Sequence, residues 1–210
     1  TLAIFTLLGS WNDLIWPLVV MSARSVGRAV WPGPRSPLVR AGVVGALVAF
    51  DASLVEVVAV RAGLWSWAEP GHLGVPVIGI LGWGFFAGAA DLVLGSRWRG
   101  RHLLLPLLGP LFTHGLIVVA WWALFRHSVR GSLGPSSVAV MLGIGVLAAV
   151  LVIRARQQGG VIPLGVALPR MIAASLFVAL LLTTAPLDRS LWLHTLAVAL
   201  PYLAATSLRA

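Results

Sequence analysis

The amino-acid sequence predicts an all-α protein, a polytopic membrane bundle of about seven transmembrane helices. Composition is the first reason. Of 210 residues, 59% are hydrophobic and 10% charged, against roughly 25% charged in a soluble domain. Length is the second, because seven apolar stretches of about 17 to 23 residues are each long enough to cross ~30 Å of hydrocarbon as a helix. Continuity is the third. Strands of a membrane barrel alternate in polarity, and these stretches run apolar without alternation.

In order, the spans are residues 2–22, 41–60, 75–95, 103–125, 137–153, 164–185 and 191–208. The first has neither a basic leader nor a small-residue cleavage site, so it reads as a span and not as a signal peptide. Residues 23–40 follow as a basic, proline-rich loop in which Arg24, Arg28, Arg35 and Arg40 alternate with Pro32, Pro34 and Pro37, a composition that interrupts helices. From residue 41 onward the connectors are short, so 41–210 is expected to be one six-helix membrane domain.

The second span carries Asp51 and Glu56. In the third, Gly84 and Gly88 form a G-x-x-x-G pair that permits close helix packing, and Asp91, seven residues after Gly84, shares that face. His114 lies in the fourth. The fifth has no ionisable group and is expected to face lipid. Arg170 in the sixth reads as a counter-ion for one of the acids, and His194 in the seventh as an interhelical hydrogen-bonder.

The formal net charge of +9 comes from fifteen arginines and no lysine. These arginines punctuate the spans instead of forming the single patch of a nucleic-acid binder. With residue 1 outside, ten fall on the inner side (24, 28, 35, 40, 97, 99, 101, 154, 156, 209) and four on the outer side (61, 126, 130, 189). That split satisfies the positive-inside tendency. It predicts a multi-pass protein of the cytoplasmic membrane, N-terminus outside and C-terminus inside, with membrane lipid as its surroundings. Cysteine is absent, which removes disulfides and thiolate chemistry.

Four of the six acids lie between 51 and 91: Asp51, Glu56, Glu69 and Asp91. Such groups at membrane depth normally face the bundle interior and serve a purpose. Counted at about 1.5 Å per residue, Asp51 lies ~15 Å below the outer end of its helix, Trp83 ~12 Å deep, and His114 ~16 Å from the inner face. These three would share one level of the membrane. Asp51 and Glu56 are five residues apart, about 140° around a helix, so they do not aim at one point. Asp51 and His114 then read either as a buried polar pair holding helices in register, or as acid machinery at the end of an apolar cavity.

The connector "GLWSWAEPGHLGVP" (63–76) holds Trp65, Trp67, Glu69 and His72. Its tryptophans sit where a membrane–water belt would put them. Trp83 is deeper, and indole faces stabilise a carbocation by cation–π attraction. No Gly-rich phosphate loop, H-E-x-x-H or nucleophile elbow occurs. His72 alone is not a metal site, and no metal or other cofactor is expected.

The stretch from Asp51 to about Gly95 carries an acidic helix, then G-x-W-x-W (Gly63, Trp65, Trp67), then G-V-P (Gly74 to Pro76), then L-G-W (Leu81 to Trp83). It resembles the membrane carotenoid-biosynthesis proteins that include carotenoid hydratases. That resemblance implies an all-helical integral membrane protein that adds water across a terminal double bond of an acyclic carotenoid, without a redox cofactor. It points to Asp51 or Glu56 as the acid, helped by His114. Trp65, Trp67, Trp83 and Asp91 would line the polyene site, and Glu69 or His72 would steer water. Separately, "TLAIFTLLGSWNDLIWPLVV" (1–20) is similar to a span of sugar-type ABC transporter permeases, so residues 1–22 read as a fused permease-like segment. The competing expectation is a transport component whose intramembrane acids bind a coupling ion.

Overall fold

A computed structural model describes residues 36–69, 71–97, 100–126 and 164–205, with isolated helical positions between 142 and 157. The expected first span, the 23–35 loop and most of the expected fifth span lie outside the described residues. Among the described residues the protein is helical and has no strand. The helices are α1 (Pro37–Arg61), α2 (Val77–Gly95), α3 (Arg101–Ala120), α4 (Leu164–Thr184) and α5 (Arg189–Ala205). Three stretches are long and apolar enough to cross a membrane: Pro37–Arg61, Val77–Gly95 and Leu103–Phe125. That fits a membrane protein, with three crossings supported where the sequence predicts seven.

Helix α1 starts where Ser36 accepts the Val39 amide at 3.2 Å and Pro37 fills the first helical position. This arrangement satisfies one orphan donor and removes another. It ends at Ala62, after which Gly63 takes φ +70 and turns the chain. Helix α2 follows Pro76. Helix α3 opens after Gly100, at φ +75, and runs through Pro106 and Pro110 into a π-helical turn, Trp121–Phe125. In the α4–α5 turn, Asp188 accepts the Leu191 amide at 3.1 Å and so starts α5.

Helix α1 is the centre of the packing. Val44, Leu47, Val48, Val57 and Val58 are buried with Ile80, Ala87 and Ala90 of α2, Phe177 and Leu181 of α4, and Leu191 of α5. The α1–α2 contact is a backbone-to-backbone approach. A Cβ on Gly45 would lie 2.7 Å from the Gly84 carbonyl oxygen, and one on Gly84 would lie 2.7 Å from the Gly45 oxygen. Gly88 meets the Ala41 carbonyl, so Ala41, Gly45 and Ala49 form the stripe that receives the expected G-x-x-x-G face. Helix α3 packs on α2 and leaves Leu103, Leu107 and Leu111 exposed along one side, a face suited to lipid.

Candidate functional site

Glu56 lies near the connector end of α1 and is 2% exposed. A carboxylate so placed needs hydrogen-bond donors, because an unpaired buried charge is costly. Three indoles supply them. Trp83 donates to Oε1 at 2.7 Å, while Trp65 and Trp67 donate to Oε2 at 3.0 and 3.2 Å. Indole N–H is a donor only, and a carboxylate offers about four acceptor positions. Oε2 therefore has both positions taken, and Oε1 retains one.

Local sequence makes this cage possible. Gly63, with its positive φ, reverses the chain so that Trp65 and Trp67 come back over the end of α1. Trp67 lies against Gly79 of α2, where a Cβ would come within 3.0 Å of its ring. Its N–H is engaged although the residue is 41% exposed. Trp83 belongs to α2 and packs against the core. Between the tryptophans and α2, the chain makes a tight turn with Leu73 at φ 50 and Gly74 at φ +91. A bridge pairs His72 with Val75, and any side chain on Gly71 would overlap the Val75 carbonyl.

That turn sets His72 beside a helix remote in sequence. Its Nε2 lies 3.4 Å from Nδ1 of His194 on α5, with ring centroids 5.0 Å apart. His194 Nε2 lies 3.1 Å from the backbone oxygen of Ser53 on α1. A carbonyl can only accept, so His194 carries its proton on Nε2, and Nδ1 is a bare lone pair when the ring is neutral. Burial lowers the His72 pKa, because desolvation penalises the charged ring. His194 is thus the interhelical hydrogen-bonder expected of it, and His72 is its partner.

The remaining sequence candidates are dispersed. Asp91 is 1% exposed, as its position on the glycine face implied, and its Oδ2 accepts Arg40 Nε at 2.6 Å. It belongs to the opposite end of α1 and α2 from Glu56 and does not line the indole cage. His114 is exposed on α3. Asp51 is half-buried on α1, and Glu56 accepts the Trp83 indole N–H. Glu69 is exposed at the rim of a groove of about 270 Å³ lined by Ile78, Ile117, Val118, Trp121 and Trp122. The Arg170 side chain lies outside the described residues. Sequence reading also missed Arg61, which pairs with Asp188 at 2.9 Å and ties the end of α1 to the α4–α5 turn.

The site is therefore a buried carboxylate held by three indoles under a tight connector, with a pair of imidazoles between the connector and α5. Comparison with protein-family models, with curated proteins and with solved structures finds no match to this chain.

Proposed function

We propose that this protein is a multi-pass enzyme of carotenoid or isoprenoid biosynthesis that hydrates a terminal double bond of an acyclic carotenoid. The observation that carries the reading is the Glu56 carboxyl with Trp65, Trp67 and Trp83 around it. Hydration needs a proton donor, a surface that tolerates a cation, and water. A proton carried on the remaining position of Glu56 Oε1 adds to the terminal carbon, and the positive charge develops on the neighbouring carbon. An indole ring can stabilise such a cation by cation–π attraction, and Trp65, Trp67 and Trp83 stand around the acid. Water then attacks the cation and loses a proton, Glu56 takes one up from solvent to restore the acid, and the net change is addition of H and OH. Glu69, on the groove rim, would receive the proton that water loses.

The groove suits a polyene end, being lined mainly by Ile78, Ile117, Val118, Trp121 and Trp122. For the chain as a whole, the reading takes seven spans in the cytoplasmic membrane, with the N-terminus outside and the 63–76 connector facing outward. The Arg61–Asp188 contact supports that count, since it brings the ends of α1 and α4 to one side. An odd number of crossings between α3 and α4 then satisfies the alternation.

Expression in a host that accumulates lycopene, followed by pigment chromatography and mass measurement, tests the reading. A product heavier than the substrate by one water is expected from the wild-type chain. It should fall by about 10²-fold or more in Glu56→Gln, the scale for losing a general acid. An inserted wild-type protein that leaves the pigments unchanged would sink the proposal.

A further inference from the structure

His72 alone is no metal site, but the fold supplies a second imidazole 122 residues away. We infer that His72 Nε2 and His194 Nδ1 form a two-imidazole site for a divalent first-row transition ion of the Zn2+ or Cu2+ kind. Three observations carry this, and none depends on the hydration reading.

The first is the spacing. Two nitrogens bound at about 2.0–2.1 Å to one tetrahedral ion stand about 3.3–3.4 Å apart; these two are 3.4 Å apart. As a direct N–H···N hydrogen bond that separation is a long one.

The second is the lean of the rings. Imidazoles meeting head-on at this separation would have centroids about 5.7 Å apart, while two that converge on one tetrahedral ion have them about 5.2 Å apart. The observed value is 5.0 Å, with the ring planes 60° to one another.

The third is the support behind His194. Its Nε2–H is held by the Ser53 carbonyl at 3.1 Å. Metal-ligating histidines use such an outer contact to fix the tautomer and aim the other nitrogen. Ser53 is itself buried, with its hydroxyl donating to the Phe50 carbonyl at 2.7 Å, so the support is rigid. His72 needs only to move its own proton from Nε2 to Nδ1 to expose the second lone pair.

Imidazole ligands suit zinc, copper and nickel and are poor for magnesium or calcium. Among the described residues no third histidine or carboxylate joins the pair, so the remaining coordination positions fall to water. A bound ion would pin α5 to the connector that covers Glu56.

The test uses the full chain in detergent, purified without a polyhistidine tag and stripped with chelator. Calorimetric titration with Zn2+ should show one ion per chain. His72→Gln and His194→Gln should each weaken binding by at least about tenfold, while His114→Ala, on the exposed side of α3, leaves it unchanged. Should either glutamine variant fail to accumulate, electron paramagnetic resonance of wild-type protein with one equivalent of Cu2+ decides, and two imidazole nitrogens are expected on the ion. No Zn2+ uptake at tens of micromolar, affinity indifferent to both glutamine variants, or a Cu2+ spectrum with fewer than two imidazole nitrogens would each overturn the inference.

Discussion

Glu56 and Trp83 meet because side chains lean along their helices. In an α-helix every Cα–Cβ bond tilts toward the N-terminus. Helix α1 approaches the connector and α2 leaves it, so Glu56 leans away from the connector while Trp83 leans toward it. Levels counted from Cα positions differ by ~4.5 Å, and the opposed tilts help close that gap to the 2.7 Å hydrogen bond. Depth counting on the sequence put Asp51 at the level of Trp83 and left Asp51 and Glu56 both open as the acid, because it treated side chains as lying level with their backbones. The residue types were legible, since an acid, G-x-W-x-W and L-G-W in succession marked the cluster. The pairing was not, because it depends on two antiparallel axes. Trp83→Phe keeps an aromatic face and removes the N–H, leaving Glu56 Oε1 without its indole donor. Detergent unfolding should show a loss of about 1–3 kcal/mol. Stability equal to wild type would mean that this hydrogen bond does not hold the carboxylate.

At the scale of elements, the α1–α2 seam is where sequence and structure agree best. The G-x-x-x-G spacing of Gly84 and Gly88 identified one half of the contact, since a repeat of small residues at four-residue spacing is a local signal. The receiving stripe of Ala41, Gly45 and Ala49 has the same spacing, yet it stood hidden in a helix full of alanine, glycine and valine. Only the register between the helices selects it. Gly84→Val should force the helices apart, because its Cβ would sit 2.7 Å from the Gly45 carbonyl oxygen, and backbone cannot yield as a flexible side chain does. A loss of about 1–3 kcal/mol in detergent unfolding is expected for such overpacking. Gly42→Ala is the control, since nothing lies within 4 Å of the added carbon, and it should be neutral or slightly stabilising. The far end of the same seam is fastened by Arg40 and Asp91. Arg40→Ala leaves a carboxylate at 1% exposure without its guanidinium. Arg40 is itself partly solvated, so the expected cost is about 2 kcal/mol, below the figure for a fully buried pair. An unchanged unfolding midpoint for Arg40→Ala would show that water replaces the guanidinium there.

For the whole molecule, orientation follows from where the charges sit relative to the site. The connector over Glu56, the Arg61–Asp188 contact and the α4–α5 turn share one end of the bundle. The groove rim at Glu69, Trp121 and Trp122 belongs to that end as well, with the Arg126 guanidinium 4.6 Å from the Trp122 ring centroid. Tryptophan and arginine at that depth are what an interface belt contains. Arg40 and Arg97 mark the other end. The positive-inside tendency counts Lys and Arg and not net charge, so the pairing of Arg40 with Asp91 and of Arg61 with Asp188 leaves the ten-to-four division of arginines intact. The proposed orientation puts the arginine-rich end in the cytoplasm and the indole cage on the outer side. Reporter fusions after residues 40, 71 and 100 should read inside, outside and inside. The reverse pattern would overturn this orientation and, with it, the proposed hydration mechanism.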